Sequence, residues 1–220
     1  MSEKLLLALT SPVAGRDAEY NAWYDDVHLA DVLRVPGITW AQRFVAAPGQ
    51  GALLLNYLAI YGVADDKAVA EGLGSRRGTP LMMMTDALDG AITKTVMARA
   101  QGERVAAGAP RAPVNGFDRY VAVVNGAPAG DAAFDAHLDG VVLPALTGIP
   151  GVAAARSWSL AAHQTKATVT DKRVIICKLH DRQAARAGVD QAMADLVAKF
   201  HRTLDFAVVY SPRGPRHKAA

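Results

Sequence analysis

The chain repeats itself. When Pro36-Gly37 is laid over Pro150-Gly151, residues 4–44 align with residues 118–158 without a gap, at a constant offset of 114. Ten of the 41 aligned pairs are identical, among them Ala8/Ala122, Asp17/Asp131, Asp25/Asp139, Leu29/Leu143 and Ala41/Ala155. Others are conservative, such as Tyr20/Phe134 and Phe44/Trp158. Chance supplies some matches in an alanine-rich chain, but not the same strand-like run, acidic start and Pro-Gly stop twice over. A repeat at fixed period constrains the fold more than composition does, because both copies must be the same unit and each must bury its apolar face.

Each copy reads strand, helix, strand, strand, helix, strand. Short apolar runs at Leu5–Thr10 and Tyr120–Val124 suit buried strands. Asp17 and Asp131 stand where an N-cap oxygen would accept the free N–H groups of a first turn. The helices that follow carry apolar or aromatic residues at helical spacing (Tyr20, Tyr24, Val27 and Phe134, Leu138, Val141) and stop before Pro-Gly. Second strands are expected at Thr39–Ala46 and Val152–Ser159, third strands at Leu53–Val63 and Arg173–Leu179, and fourth strands at Ile92–Arg99 and Phe206–Tyr210. Ala184–Leu204 is an amphipathic helix by its Val189, Met193, Leu196 and Phe200 stripe. In the first copy Gly72, Gly74, Gly78 and Pro80 break the corresponding region, and the spacing predicts a helix only over Leu81–Leu88. The expected organisation is therefore a first repeat over 1–99, a linker rich in Gly, Pro and Ala over 100–116, a second repeat over 117–210 and a flexible basic tail over 211–220.

This element order is the ferredoxin-like unit, an α+β arrangement with both helices on one face of an antiparallel sheet. The bare sheet face must be covered, and two copies solve this by packing sheet on sheet around a barrel-like core. The expected architecture resembles the dimeric α/β-barrel superfamily, fused here in tandem as a pseudo-dimer. The closest likeness lies in Asn21-Ala22-Trp23-Tyr24-Asp25-Asp26-Val27-His28, followed by Pro36-Gly37 and Arg43-Phe44. It resembles the N-x-W-Y-x-x-x-H…P-G…R-[FY] pattern of EthD-like proteins. The resemblance implies a small enzyme acting on an apolar, often aromatic, molecule held between sheet and helices. Some branches of the superfamily work without a cofactor and others bind haem.

Composition narrows the setting. Lys and Arg number 24 against 21 Asp and Glu, but Arg213, Arg216 and Lys218 lie in the last ten residues, which hold no acid. The rest is neutral, so no nucleic-acid or membrane partner is expected. A single cysteine, Cys177, suits a reducing compartment, and with no signal-like N-terminus or spanning run the expected location is cytoplasmic. The oligomer is left open, a homodimer being one option, because the linker is long enough for the repeats to close within one chain or between two.

Tyr24, His28 and Asp31 recur at i, i+4 and i+7, which on an α-helix is one face. Histidine exchanges a proton near neutrality. Asp31 would hold its tautomer, unless it pairs with Arg34 instead, and Tyr24 would stabilise an oxyanion. The second copy lacks this set: Tyr24 aligns with Leu138, His28 with Val142 and Asp31 with Ala145. One site is therefore expected, in the first half. Arg43, Tyr57 and Tyr61 are candidate substrate contacts, as is His137, which occupies the Trp23 position; Trp23 itself is expected in the core. Asp25, kept as Asp139, reads as scaffold. At least one of Met82, Met83 and Met84 should face a pocket, since three consecutive residues cannot share one stripe. No zinc spacing, dinucleotide fingerprint or nucleophile elbow is present, and the Gly72–Gly78 run reads as a loop. No cofactor is expected. The expected activity is a cofactor-independent lyase or isomerase using general acid–base chemistry on a cyclic or aromatic oxygenated molecule. The alternatives are a monooxygenase, cofactor-free or haem-dependent with His28, His180 or His201 as axial ligand, and a non-catalytic binding protein.

Overall fold

A computed structural model describes residues 4–50, 55–113, 115–126, 131–160 and 172–219. The first half runs β1 (Lys4–Thr10), α1 (Asp17–Trp23), a π-helical turn π1 (Tyr24–His28), α2 (Leu29–Leu33), β2 (Ile38–Ala46), β3 (Tyr57–Val63), α3 (Asp66–Arg76) and β4 (Lys94–Val105). The second runs β5 (Asp118–Asn125), α4 (Ala132–His137), π2 (Leu138–Val142), α5 (Leu143–Gly148), β6 (Val152–Leu160), β7 (Lys172–Leu179), α6 (Arg182–Lys199) and β8 (Thr203–Pro212), with a short β9 (His217–Lys218). The duplication read from the offset of 114 extends to the π-turns.

Each half is an antiparallel sheet, ordered β4-β1-β3-β2 and β8-β5-β7-β6. The halves do not stack as two separate sheets. They hydrogen-bond edge to edge, β4 to β6 and β2 to β8, and close an eight-stranded barrel. Closure leaves no unpaired edge in the barrel wall. Period-two alternation then sorts the side chains. Leu5, Leu7, Leu9, Val121, Val123 and Ile176 fill the barrel, while Leu6, Ala59 and Tyr61 face outward beneath the helices.

The Pro-Gly pairs lock helix to strand in the same way twice. Gly37 and Gly151 both hold φ at +89°, a region costly for any residue with a Cβ. A Cβ on Gly37 would lie 2.6 Å from the Asp65 carbonyl oxygen, and one on Gly151 would collide with that of Asp181. Asp65 and Asp181 in turn cap α3 and α6, each accepting two backbone N–H bonds.

Several boundaries differ from the sequence reading. Asp131 accepts the Phe134 N–H as an N-cap, but Asp17 is the first helical residue after Arg16 and instead accepts from the Tyr57 hydroxyl. The second helix of the first half is Asp66–Arg76, running through Gly72 and Gly74, and Leu81–Leu88 is non-helical chain. Ala100–Val105, expected as linker, continue β4 because β6 supplies a pairing partner. The tail expected to fray is ordered: Ser211 and Pro212 pair with β2, and β9 pairs with Trp40 and Ala41 further along the same edge. Residues 53 and 54 of the expected third strand lie outside the described residues. Among the described residues no helix is long and apolar enough to cross a membrane.

Candidate active site

The first half encloses an apolar cavity of about 150 Å³ between its sheet and its helices. Leu6 and Tyr61 form the sheet side; Trp23, Tyr24 and His28 come from α1 and π1. Met82 and Met84 close it from the segment after α3, and exposed Arg77 stands at its rim. Met83, between the two cavity methionines, is exposed.

The π-turn decides which residues meet there. The Leu29 N–H donates to the Tyr24 carbonyl, an i→i+5 bond, so residues five apart come into line. The rings of Trp23 and His28 accordingly stack at 4.4 Å and 24°, with the Tyr24 ring edge-on to His28 at 4.9 Å. Asp31 does not join them. Its carboxylate accepts from Arg34 Nη1 at 3.1 Å and makes no bond to His28, so the expected Tyr24–His28–Asp31 face does not assemble. Trp23, expected in the core, instead forms a wall of the cavity.

His28 is the chemical centre of this pocket. Its Nδ1 is buried with no hydrogen-bond partner among the described residues. Burial among aromatic and apolar groups pushes its pKa down to about 4, with the cations Arg77 and Arg43 adding to the effect. The ring is therefore neutral near pH 7, one nitrogen carrying a lone pair and the other a proton. An orphaned buried nitrogen costs free energy unless something binds it. Beside it the hydroxyls of Tyr24 and Tyr61 bond to each other at 2.7 Å. Burial holds both phenols protonated, their pKa values raised above the ordinary range. One of the two donates within the pair, which leaves the proton of the other for a third oxygen.

Arg43 and Tyr57 lie behind the site and do not line it. Arg43 is 3 % exposed. Its guanidinium pairs with Asp25, donates to Asn21 Oδ1 at 2.9 Å and lies 4.1 Å from the centre of the Tyr24 ring. Asn21 donates onward to the Tyr57 hydroxyl at 2.9 Å, which donates to Asp17 at 3.1 Å. The asparagine, arginine and tyrosines thus form a buried polar scaffold under π1. Asp25 has the structural role its retention suggested, for Asp139 in the second half accepts from Ser157. His137 sits on the opposite half against Phe200, with ring centres 5.3 Å apart, and is not part of this cavity. Arg77 carries no signal of its place in the sequence, because the Gly72–Gly78 stretch around it has no periodic pattern.

Of the three expected axial ligands only His28 lines this cavity, and its ring is stacked on Trp23. His180 and His201 are exposed residues of the second half and do not line it. Among the described residues no three His, Cys, Asp or Glu side chains are grouped to hold a metal. Cys177 is fully buried in β7, and burial pushes its thiol up to about 12.

No protein-family profile and no curated protein matches this sequence. Its fold does match solved structures. An anthrone oxidase-like protein superposes with a TM-score of 0.67 at 11% identity, over 100% of this chain and 94% of that one. A protein assigned as a monooxygenase from Lactobacillus acidophilus NCFM gives 0.56 at 8% identity, over 100% and 98%. Chlorite dismutase from Candidatus Nitrospira defluvii gives 0.50 at 11%, over 96% and 91%. At these identities the likeness shows the fold, an α+β barrel of two ferredoxin-like halves, and it spans whole chains.

Proposed function

We propose that this chain is a cofactor-independent oxygenase of hydrophobic phenolic or polycyclic substrates, with His28 as the proton acceptor. The observation that carries this reading is the neutral His28 ring, whose buried Nδ1 lacks a partner, lining an apolar cavity beside two protonated tyrosine hydroxyls. A substrate with an acidic C–H or O–H would give its proton to the imidazole. The oxyanion so formed would be met by the free hydroxyl of the Tyr24–Tyr61 pair. An electron-rich anion in a dry apolar pocket is itself the reductant for dioxygen. For an activated methylene the reaction balances as methylene plus dioxygen giving carbonyl plus water. Both C–H bonds of that carbon break, one oxygen atom enters the substrate and the other leaves as water. The anthrone oxidase-like and monooxygenase assignments of two fold neighbours support oxidation over lyase or isomerase chemistry. The Trp23–Tyr24–His28 motif supports an EthD-like affiliation within the superfamily.

The test uses the purified chain with anthrone as probe in an oxygen electrode. One mole of dioxygen consumed per mole of quinone formed, with no flavin or haem added, is the expected result. Turnover that proceeds equally under argon would move the site to lyase or isomerase chemistry, which the same proton acceptor also serves. Stoichiometric binding without turnover across a panel of phenols and anthrones would make the cavity a carrier.

A further inference from the structure

A second cavity lies inside the barrel. It occupies the end where β2, β5, β6 and β7 meet, has a volume of about 130 Å³, and opens from an apolar floor of Leu5, Phe44 and Ile176 to a basic rim. Four cations face it: Arg119, Arg156, Lys178 and Arg216. One acid accompanies them, Glu103, which pairs with Arg156 and, at 3.9 Å, with Lys178. Arg119 and Arg216 have no carboxylate partner among the described residues. Arg119 is 6 % exposed, and its Nη1 donates only to the carbonyl oxygens of Phe117 and Asp118. Its guanidinium lies 5.2 Å from the centre of the Phe44 ring, and that of Arg216 caps the Trp40 ring at 4.0 Å.

A buried guanidinium is strongly penalised without a counter-charge, and the fork of Arg suits a carboxylate better than any other side chain does. Desolvation and the neighbouring Arg216 already pull the Arg119 pKa down to about 10. The fold maintains this charge at the mouth of an apolar barrel, where a hydrophobic residue would pack more cheaply. We propose that the barrel end is a binding site for a small organic carboxylate with a compact apolar body, its charge on Arg119 and Arg216 and its body between Leu5, Phe44 and Ile176. The site is separate from the His28 cavity and shares no lining residue with it.

Titration of the full chain with sodium benzoate, read by calorimetry and by thermal unfolding, tests this; sodium phosphate at equal ionic strength is the comparison. Benzoate should bind saturably and raise the unfolding temperature, and added sodium chloride should weaken it. Arg119→Met should weaken benzoate binding at least tenfold while leaving anthrone turnover unchanged. Arg216→Met, at the exposed rim, should weaken it several-fold and serves if the Arg119 variant does not fold. No saturable benzoate binding overturns the proposal. So does benzoate binding that survives both substitutions, or stabilisation by phosphate with none by benzoate.

Discussion

The two halves share a backbone plan and differ in what they do with the space under the helices. Strand register equates Tyr61 with Cys177, since each faces the matching residue of the central strand, Leu6 or Tyr120. The offset equates Tyr24 with Leu138 and His28 with Val142. In the second half Leu138, Val142, Cys177, Val189, Met193 and Leu196 form one buried cluster. Helix length explains the difference. From their capping aspartates, α6 continues to Lys199, whereas α3 stops at Arg76 and the chain leaves as irregular structure. Counted from those caps, Arg77 stands where Met193 stands, so the turns that fill the second half with Met193 and Leu196 are missing from the first. The cavity exists because a helix is short, and its polar groups are those a filled core would not tolerate. The π-turns, present in both halves, are scaffold; on the first copy the same geometry happens to set Trp23 and His28 in a stack.

Converting the first half toward the second gives the largest expected effect. His28→Val installs the residue of the filled half. Turnover of anthrone should fall by at least about 100-fold, the range for loss of a positioned general base, while unfolding in urea at pH 7 shows no loss of stability because an unpartnered buried nitrogen is removed. The same variant carries a pH signature. The unfolded chain binds a proton at His28 near pH 6.5 and the folded chain only near pH 4, so this contribution to stability is complete above pH 6.5 and disappears as pH falls toward 4. The native chain should lose about 2–3 kcal/mol on this account across that window, and His28→Val should lose correspondingly less. Equal slopes, or near-normal turnover by the variant, would remove His28 from the centre of the site.

The scaffold beneath the site offers the next contrast, because the second half has Ser157 where the first has Arg43. Arg43→Ser should destabilise the chain by about 1–3 kcal/mol in urea unfolding, the scale for leaving a buried polar group without its partner. It leaves buried Asn21 Oδ1 without its donor, while half-exposed Asp25 keeps Arg213 at 3.2 Å. Adding Asn21→Ala should cost much less than its effect alone, since the two share one network. Additive losses would mean that the bonds among these residues contribute independently.

What could be read from residue order follows the same division. Strand runs and Pro-Gly stops are local signals, and the offset of 114 turned them into a two-fold architecture that the barrel reproduces. Signals that depend on a partner were missed. Gly72 reads as a breaker in isolation, yet it lies inside α3, where a Cβ would come within 2.8 Å of Val35; it is there for close packing. Ala100–Val105 and Ser211–Pro212 become strand only because β6 and β2 present edges to them. In the site, His28 and Tyr24 are legible as polar residues absent from the apolar copy, and Tyr61 as an aromatic residue on one face of a strand. Arg43 and Tyr57 were equally conspicuous, but charge and aromaticity in a sequence do not reveal whether a side chain faces a cavity or the scaffold behind it. Nor does any residue pattern in the helix announce the i→i+5 bond that stacks Trp23 on His28.

Asp31 is where the smallest effect is expected, and it tests whether its contact with Arg34 keeps it out of the chemistry. The carboxylate follows His28 by three residues and, turned toward it, could hold the ring tautomer, a role whose loss in catalytic triads reduces turnover by about four orders of magnitude. In the folded chain the carboxylate instead meets Arg34, whose side chain is 70% exposed. Such a pair contributes about 0.5 kcal/mol or less. Asp31→Asn should therefore leave anthrone turnover within about twofold across pH 6 to 8 and shift the urea midpoint only marginally. The substitution keeps an oxygen for Arg34 and removes the charge, so a large fall in kcat could not be blamed on lost packing. Such a fall would mean that the helix turns the carboxylate back toward His28 when substrate is bound.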